Sequence, residues 1–209
     1  MIAFNRICFL SKREAQALLT YASEEATRPI SGIHFDGERN QVAATNGHQL
    51  AVCRLVQGQL GFSVTVSRES LNAALKACAK GLLIAVWADG VGTCPEASVT
   101  DLVTLEAVTD LKCMAKVDGF PRYDAVLTLG SSVHHTDTQA FSPAYLANLS
   151  AISLACQHKR EEIIRGRKVM TTVTPAVELS LGADALSPAT WSCKSVVGDW
   201  RGMLMPVRM

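Results

Sequence analysis

The sequence predicts an α+β fold assembled from repeated strand-helix-strands units, and three observations carry that prediction. Residues 2 to 117 pass twice through the same scheme of a short strand, a capped amphipathic helix and further strands. Within the first pass, Val42 to Val52 reads as a hairpin, two apolar runs flanking the Asn46-Gly47 pair that supplies the positive φ of a two-residue turn. The chain closes on Met203-Leu204-Met205-Pro206-Val207-Arg208-Met209, an apolar strand without a polar trailer that is expected to be buried or used.

The elements follow in order. Ile2 to Leu10 reads as a strand, and Ser11 with Glu14 forms a capping box in which each side chain satisfies the other's orphan amide. The helix it opens extends to about Ala26, with Ala15, Leu18, Leu19 and Ala22 on one face. Ile30 to Phe35 is a strand, Asp36 to Asn40 a turn, and Gln41 to Leu55 the hairpin. The second unit opens with a strand over Phe62 to Val66. Ser67 then caps a helix to Lys80 that buries Leu71, Ala74, Leu75 and Cys78. Strands are expected over Leu82 to Ala88, Ala97 to Ala107 and Leu111 to Val117, with turns at Asp89-Gly90 and Asp118-Gly119. A third unit begins with a strand over Val133 to Phe141, and Ser142-Pro143 starts a helix carrying Tyr145, Leu149, Ile152 and Cys156 on one face. The charged segment Gln157 to Lys168 reads as a helical extension or an exposed loop. Strands over Met170 to Thr174, Val177 to Leu181, Thr190 to Val196 and Arg201 to Met209 complete the chain.

A chain of 209 residues is long enough for one large or two modest domains with buried cores. Its 48% hydrophobic and 19% charged content fits a globular protein, and no apolar run approaches the ~20 residues of a membrane span. Asn5 and Arg6 interrupt the apolar start, which therefore does not read as a secretory leader. The cysteines at positions 8, 53, 78, 94, 113, 156 and 193 form no Cys-x-x-Cys pair, and several fall within apolar runs. They read as small buried hydrophobes of a reducing, cytoplasmic compartment. A net charge of +1 does not coat the molecule for nucleic acid, so any phosphate contact must come from local basic patches.

The hairpin Ala44-Thr45-Asn46-Gly47-His48-Gln49-Leu50-Ala51, the Met203 to Met209 tail and the segment Gly119-Phe120-Pro121-Arg122-Tyr123-Asp124-Ala125-Val126 together resemble the beta sliding clamp family of bacterial DNA polymerase III. That family has an A-T-D-G-H-R-L-A-type hairpin in its middle domain, a G-x-[FY]-P-x-Y-x-x-V segment at the following junction, and an M-P-M-R-L-type terminal strand. The resemblance implies repeated units with helices on one face of antiparallel sheets. Residues 1–128 would then be a complete clamp-like domain and 129–209 half of one, with nothing matching the family's first domain. A half domain leaves an apolar helix face and an open sheet edge, so a homo-oligomer is expected.

The resemblance also implies a non-enzymatic replication protein whose groove takes short peptide motifs of DNA polymerases and repair proteins. Either it tethers them to DNA as a ring, or it competes for the same motifs as a clamp mimic that does not encircle DNA. The positions matching the groove are Ile30, Thr45, Gly47, His48, Gln49, Leu50, Pro121, Val126, Met203, Met205, Pro206, Val207, Arg208 and Met209. Gln49 stands where the family commonly has Arg. Independently of the resemblance, flexible methionines around a glycine-backed notch make a surface that accepts Leu and Phe side chains. Lys12, Arg13, Lys76, Lys80, Lys159, Arg160, Arg165, Arg167 and Lys168 lie on or beside the expected helices, where a clamp would present them to double-stranded DNA without reading its sequence.

Enzymatic readings fare worse. His134, His135 and Asp137 include two adjacent strand residues that point to opposite faces and so serve one metal ion poorly. Cys53 near His48 could pair as a nucleophile and base, but a core position suits Cys53 better. No Gly-x-x-x-x-Gly-Lys loop is present, so an ATP-driven loader is excluded. Neither a cofactor nor a metal is expected.

Overall fold

The computed structural model describes residues 7–54, 61–80, 82–87, 90–95, 119–129, 139–164, 167–184, 186–195 and 198–207. The first unit comprises β1 (Ile7–Leu10), α1 (Lys12–Tyr21), β2 (Gly32–Asp36), β3 (Gln41–Thr45) and β4 (Gln49–Arg54). The second comprises β5 (Val64–Ser67), α2 (Arg68–Ala77), β6 (Leu82–Trp87) and β7 (Gly90–Pro95). Then come α3 (Tyr123–Leu129), α4 (Pro143–Ala155), β8 (His158–Ile164), β9 (Arg167–Val173), β10 (Glu178–Ser180), β11 (Ala189–Ser195) and β12 (Gly198–Leu204).

Local chemistry sets the helix ends. The Ser11 hydroxyl accepts the Glu14 N–H at 3.2 Å while the Glu14 carboxylate accepts the Ser11 N–H at 2.7 Å, so the expected capping box is formed. Spacing alone carries α1 to Ala26, but it stops at Tyr21. The Arg68 guanidinium donates to the carbonyls of Leu19 at 2.8 Å and Ala22 at 3.2 Å, satisfying groups that another helical turn would have used. Helix α2 likewise ends at Ala77, short of Lys80, because Cys78 turns extended and the Lys12 ammonium takes its carbonyl at 2.9 Å.

The two units are interleaved. β5 pairs with β2 of the first unit, and β1 pairs with β6 of the second, so neither unit closes its own sheet. The large sheet runs β10-β11-β12-β4-β3-β2-β5, beside a second sheet β1-β6-β7 and a separate ribbon β8-β9. All described pairings are antiparallel. The β4-β12 pairing carries the large sheet from the segment 1–128 into the segment 129–209.

Strand alternation sorts the side chains into two clusters. Val42, Ala44, Ala51, Cys53, Trp191, Cys193, Trp200 and Leu204 face the main core with the inner faces of α1, α2 and α4. Helix α1 packs along α4, and Tyr21 meets Trp191 with ring centroids 5.8 Å apart, joining the first unit to the last. On the opposite face Ala43, Leu50, Val52 and Met203 form a smaller cluster with Tyr123, Phe120 and Leu127. Thus α1, α2 and α4 share one face, as expected, and the short α3 covers part of the other.

Three expectations need correction. Residues 158–164, 167 and 168 are neither helix nor loop but lie in the β8-β9 ribbon; the β-branched residues Ile163, Val169, Thr171, Thr172 and Val173 outweigh the charges, and Lys168 pairs with Glu161 across the strands at 2.8 Å. A strand the sequence reading omits, β7, starts at Gly90 and pairs with β6 despite its glycines and proline. The Pro121 to Val126 stretch, read only as a junction, enters a helix at Tyr123. The expected strands 97–107 and 111–117 lie outside the described residues, as does most of 133–141, whose described end, residues 139–141, is not strand.

Candidate functional site

The hairpin turn is built differently from the simple Asn-Gly reading. Asn46 donates its N–H to the Gln49 carbonyl at 3.4 Å, which makes Gly47 and His48 the central residues, and only Gly47 has positive φ, +92°. Asn46 acts through its side chain, whose oxygen accepts the His48 and Gln49 N–H groups at 2.9 and 3.0 Å. Thr45 closes the base: its hydroxyl donates to the Gln49 carbonyl at 2.7 Å and accepts the Gly47 N–H at 3.1 Å.

The tail reaches this turn along β4. Met203 stands opposite Leu50 and Leu204 opposite Gln49, and just beyond the strand Met205 donates its N–H to the His48 carbonyl at 2.8 Å. Gly202 permits the approach, since a Cβ there would strike the Leu50 carbonyl and the Trp191 ring.

Hairpin, tail and α3 enclose a cavity of about 230 Å³ lined by Ile30, Thr45, Gly47, His48, Gln49, Leu50, Pro121, Tyr123, Val126, Met203 and Met205. Its floor is buried Leu50, Met203 and Gln49, while Pro121, Val126 and His48 stand exposed on the rim. Gln49 offers little to a ligand. Its amide donates to the Thr20 carbonyl at 3.0 Å and accepts from Asn148 at 3.1 Å, so it bridges α1 and α4. The His48 ring lies near that of Tyr145, centroids 6.2 Å apart.

Ten residues expected in the groove therefore share one cavity. Pro206 and Val207 do not line it, because the chain turns away and Val207 donates its N–H to the Ala140 carbonyl at 2.8 Å. Arg208 and Met209 lie outside the described residues. Tyr123 was missed, although the spacing of Tyr123, Val126 and Leu127 at i, i+3 and i+4 was a legible helical signal. Its hydroxyl donates to the Asp36 carboxylate at 2.8 Å. Burial and this bond raise the Tyr123 pKa well above its usual value.

The candidate DNA-contacting cations fall into two groups. Arg13 donates to Gln157 at 3.2 Å and Lys12 reaches Cys78, which places the first turn of α1 between the end of α2, near Lys76 and Lys80, and the base of the ribbon. Lys159, Arg160, Arg167 and Lys168 lie on the ribbon and not beside a helix, with Arg167 and Lys168 at the end away from that base. Arg165, and the His134, His135 and Asp137 set, lie outside the described residues.

The Cys53-His48 pairing is not formed. Cys53 is buried, donates to the Arg54 carbonyl at 3.4 Å and has its pKa raised by burial, while His48 is exposed on the turn. Cys8, Cys53, Cys78, Cys156 and Cys193 are all buried. Among the described residues no metal-ligating group of three converges, and no helix is long and apolar enough to cross a membrane.

No protein-family profile and no curated protein matches the chain. Solved structures do. The Helicobacter pylori beta clamp in complex with 3,4-difluorobenzamide is 10% identical over all of this chain and 68% of its own, with a TM-score of 0.55. The DNA polymerase III beta chain of Streptococcus pneumoniae is 16% identical over 100% and 66%, with a TM-score of 0.53. The Pseudomonas aeruginosa DNA polymerase sliding clamp is 14% identical over 100% and 68%, with a TM-score of 0.50. This chain spans about two thirds of the length of each. With interleaved units, one continuous seven-stranded sheet and a terminal strand laid on the hairpin, the chain has the fold of the DNA polymerase III beta subunit, the sliding clamp.

Proposed function

We propose that this chain is a reduced, non-enzymatic sliding-clamp-like protein of DNA replication whose groove binds short peptide motifs of polymerases and repair proteins. The supporting observation is the apolar cavity where tail and hairpin meet, floored by Leu50 and Met203 and edged by Met205. Two Leu or Phe anchors gain about 3 to 6 kcal/mol together; because association itself has a cost, micromolar affinity, about 8 kcal/mol net, requires further apolar and backbone contacts along the groove. Fluorescence anisotropy with a labelled peptide carrying Leu and Phe anchors tests this. Micromolar binding lost on Ala replacement of both anchors supports it, and no binding at about 100 μM overturns it.

In this proposal residues 1–128 act as one clamp-like domain and 129–209 as half of another. A second copy covers the exposed Leu179 of β10 and Leu146 and Leu154 of α4, closing a ring around duplex DNA. Lys76, Lys80, Lys159, Arg160 and Arg167 have no ion-pair partner among the described residues and supply phosphate contacts. A second reading, a mimic that does not encircle DNA, draws on the engagement of Lys12, Arg13 and Lys168 with protein groups, which thins the basic surface. Analytical ultracentrifugation with and without circular duplex DNA separates the two. A closed oligomer retained on circles and released by their linearisation supports the ring, and a monomer indifferent to DNA supports the mimic.

A further inference from the structure

Helix α3 forms one wall of the groove, yet its seven residues are too few for a helix to hold its position unaided. Its apolar contacts, Phe120, Tyr123 and Leu127 on the outer face of the sheet, are non-directional and would tolerate sliding or rolling. Most of the directional contacts converge on one residue outside the groove, with Gln41 a longer alternative acceptor for the Tyr123 hydroxyl at 3.4 Å. Asp36 ends β2 and is 4% exposed. One of its carboxylate oxygens accepts the N–H groups of Glu38 and Arg39, each at 3.0 Å; the other accepts the Tyr123 hydroxyl at 2.8 Å and an Arg39 guanidinium N–H at 3.1 Å. The second arm of Arg39 reaches the Asp124 carboxylate at 3.0 Å, so the first turn of α3 is tied to the same turn twice.

We infer that Asp36 is a positioning residue for the groove: it sets the Tyr123 ring and, through Arg39 and Asp124, the azimuth of α3, and so holds the Pro121 to Val126 wall at its distance from the Met203 floor. This rests on the peptide reading of the groove and names a control point that the groove itself does not contain. Charge-assisted bonds in a buried setting fix geometry more tightly than the apolar packing around them. Asp36→Asn is the informative change. Its remaining oxygen still accepts the Glu38 and Arg39 N–H groups and keeps the turn, while the new NH2 cannot accept from the Arg39 guanidinium and meets the Tyr123 hydroxyl only as a neutral donor, which turns the hydroxyl proton toward Gln41. Tyr123→Phe removes the same bond from the other side and keeps the ring in the wall.

The test uses the full chain labelled with 3-fluorotyrosine, whose three tyrosines, Tyr21, Tyr123 and Tyr145, give three fluorine resonances assignable by substitution. Asp36→Asn is expected to shift or broaden the Tyr123 resonance alone and to weaken binding of the labelled Leu/Phe peptide about tenfold. Tyr123→Phe should weaken it comparably, and the double variant no more than Asp36→Asn. An unmoved Tyr123 resonance with unchanged affinity in Asp36→Asn overturns the inference, as does full additivity of the two substitutions. Should Asp36→Asn fail to fold, unchanged affinity in Tyr123→Phe overturns it instead. If the unsubstituted protein binds no such peptide, the groove reading fails, and the free-state fluorine spectra still decide whether Asp36 positions Tyr123.

Discussion

Met205 donates its backbone N–H to the carbonyl of His48 at 2.8 Å, so the end of the chain is stitched to the tip of a hairpin in its first quarter. This bond lies just past the last β12-β4 register pair, Leu204 opposite Gln49, and it holds the Met205 side chain on the groove instead of letting it trail into solvent.

Met205→Asp is therefore the clean probe of the groove. The side chain is half-buried, so a carboxylate there keeps access to water while opposing an apolar ligand. Peptide binding is expected to fall at least a hundredfold in a fluorescence titration with the far-ultraviolet circular dichroism unchanged. Leu50→Asp behaves differently: Leu50 is 5% exposed within the outer cluster, and a charge there should cost about 3 kcal/mol or more of stability, read as a lower urea midpoint.

Gly202→Ala should damage both stability and site. The added methyl would drive into the Leu50 carbonyl and the Trp191 ring, which forces β12 from β4. A loss of about 2 to 3 kcal/mol is expected, with weakened peptide binding, because the displaced strand carries Met203 and Met205. Calorimetry and a binding titration on the same preparation check it.

Arg68→Met should shorten or fray α1 without touching the groove. It removes the donor to the Leu19 and Ala22 carbonyls and leaves them half-buried and unmatched, a loss of about 1 to 3 kcal/mol. Hydrogen exchange should quicken in the last turn of α1 more than in α2.

The pH dependence of stability carries an Asp36 component. Burial pushes its carboxyl up, but the Tyr123 hydroxyl, the Arg39 N–H and the Arg39 guanidinium together outweigh this and hold it below the ordinary aspartate value. Because the folded state binds the proton less readily than the unfolded chain, the contribution is fully present above the ordinary value of about 3.9 and is lost as pH falls through the depressed one. Urea midpoints measured from pH 5 downward should fall more steeply for the native protein than for Asp36→Asn. Parallel slopes would remove Asp36 from the account.

Much of this was readable in one dimension because it is local. The Ser11-Glu14 box, the Ser67 cap and the apolar stripes of α1 and α2 depend on residues three or four apart, and all are present where the spacing puts them. The tail, hairpin and junction segments carried the fold resemblance, and with it most of the cavity wall. What stayed hidden was decided by partners far along the chain. Helix α1 ends at Tyr21 because a guanidinium from α2 takes its carbonyls, and nothing near Tyr21 records that. The charged stretch 158–164 is a ribbon strand because cross-strand pairing with β9 rewards β-branched residues, a gain that does not exist until β9 returns alongside β8. Tyr123 was only a motif letter until its hydroxyl found Asp36. The sequence by itself thus determined the repeat, the caps and which apolar residues would seek a core, since these follow from side-chain periodicity. The tertiary structure alone decided where helices stop, which edges pair and how the groove wall is held, since those depend on hydrogen-bond partners that only folding brings within reach.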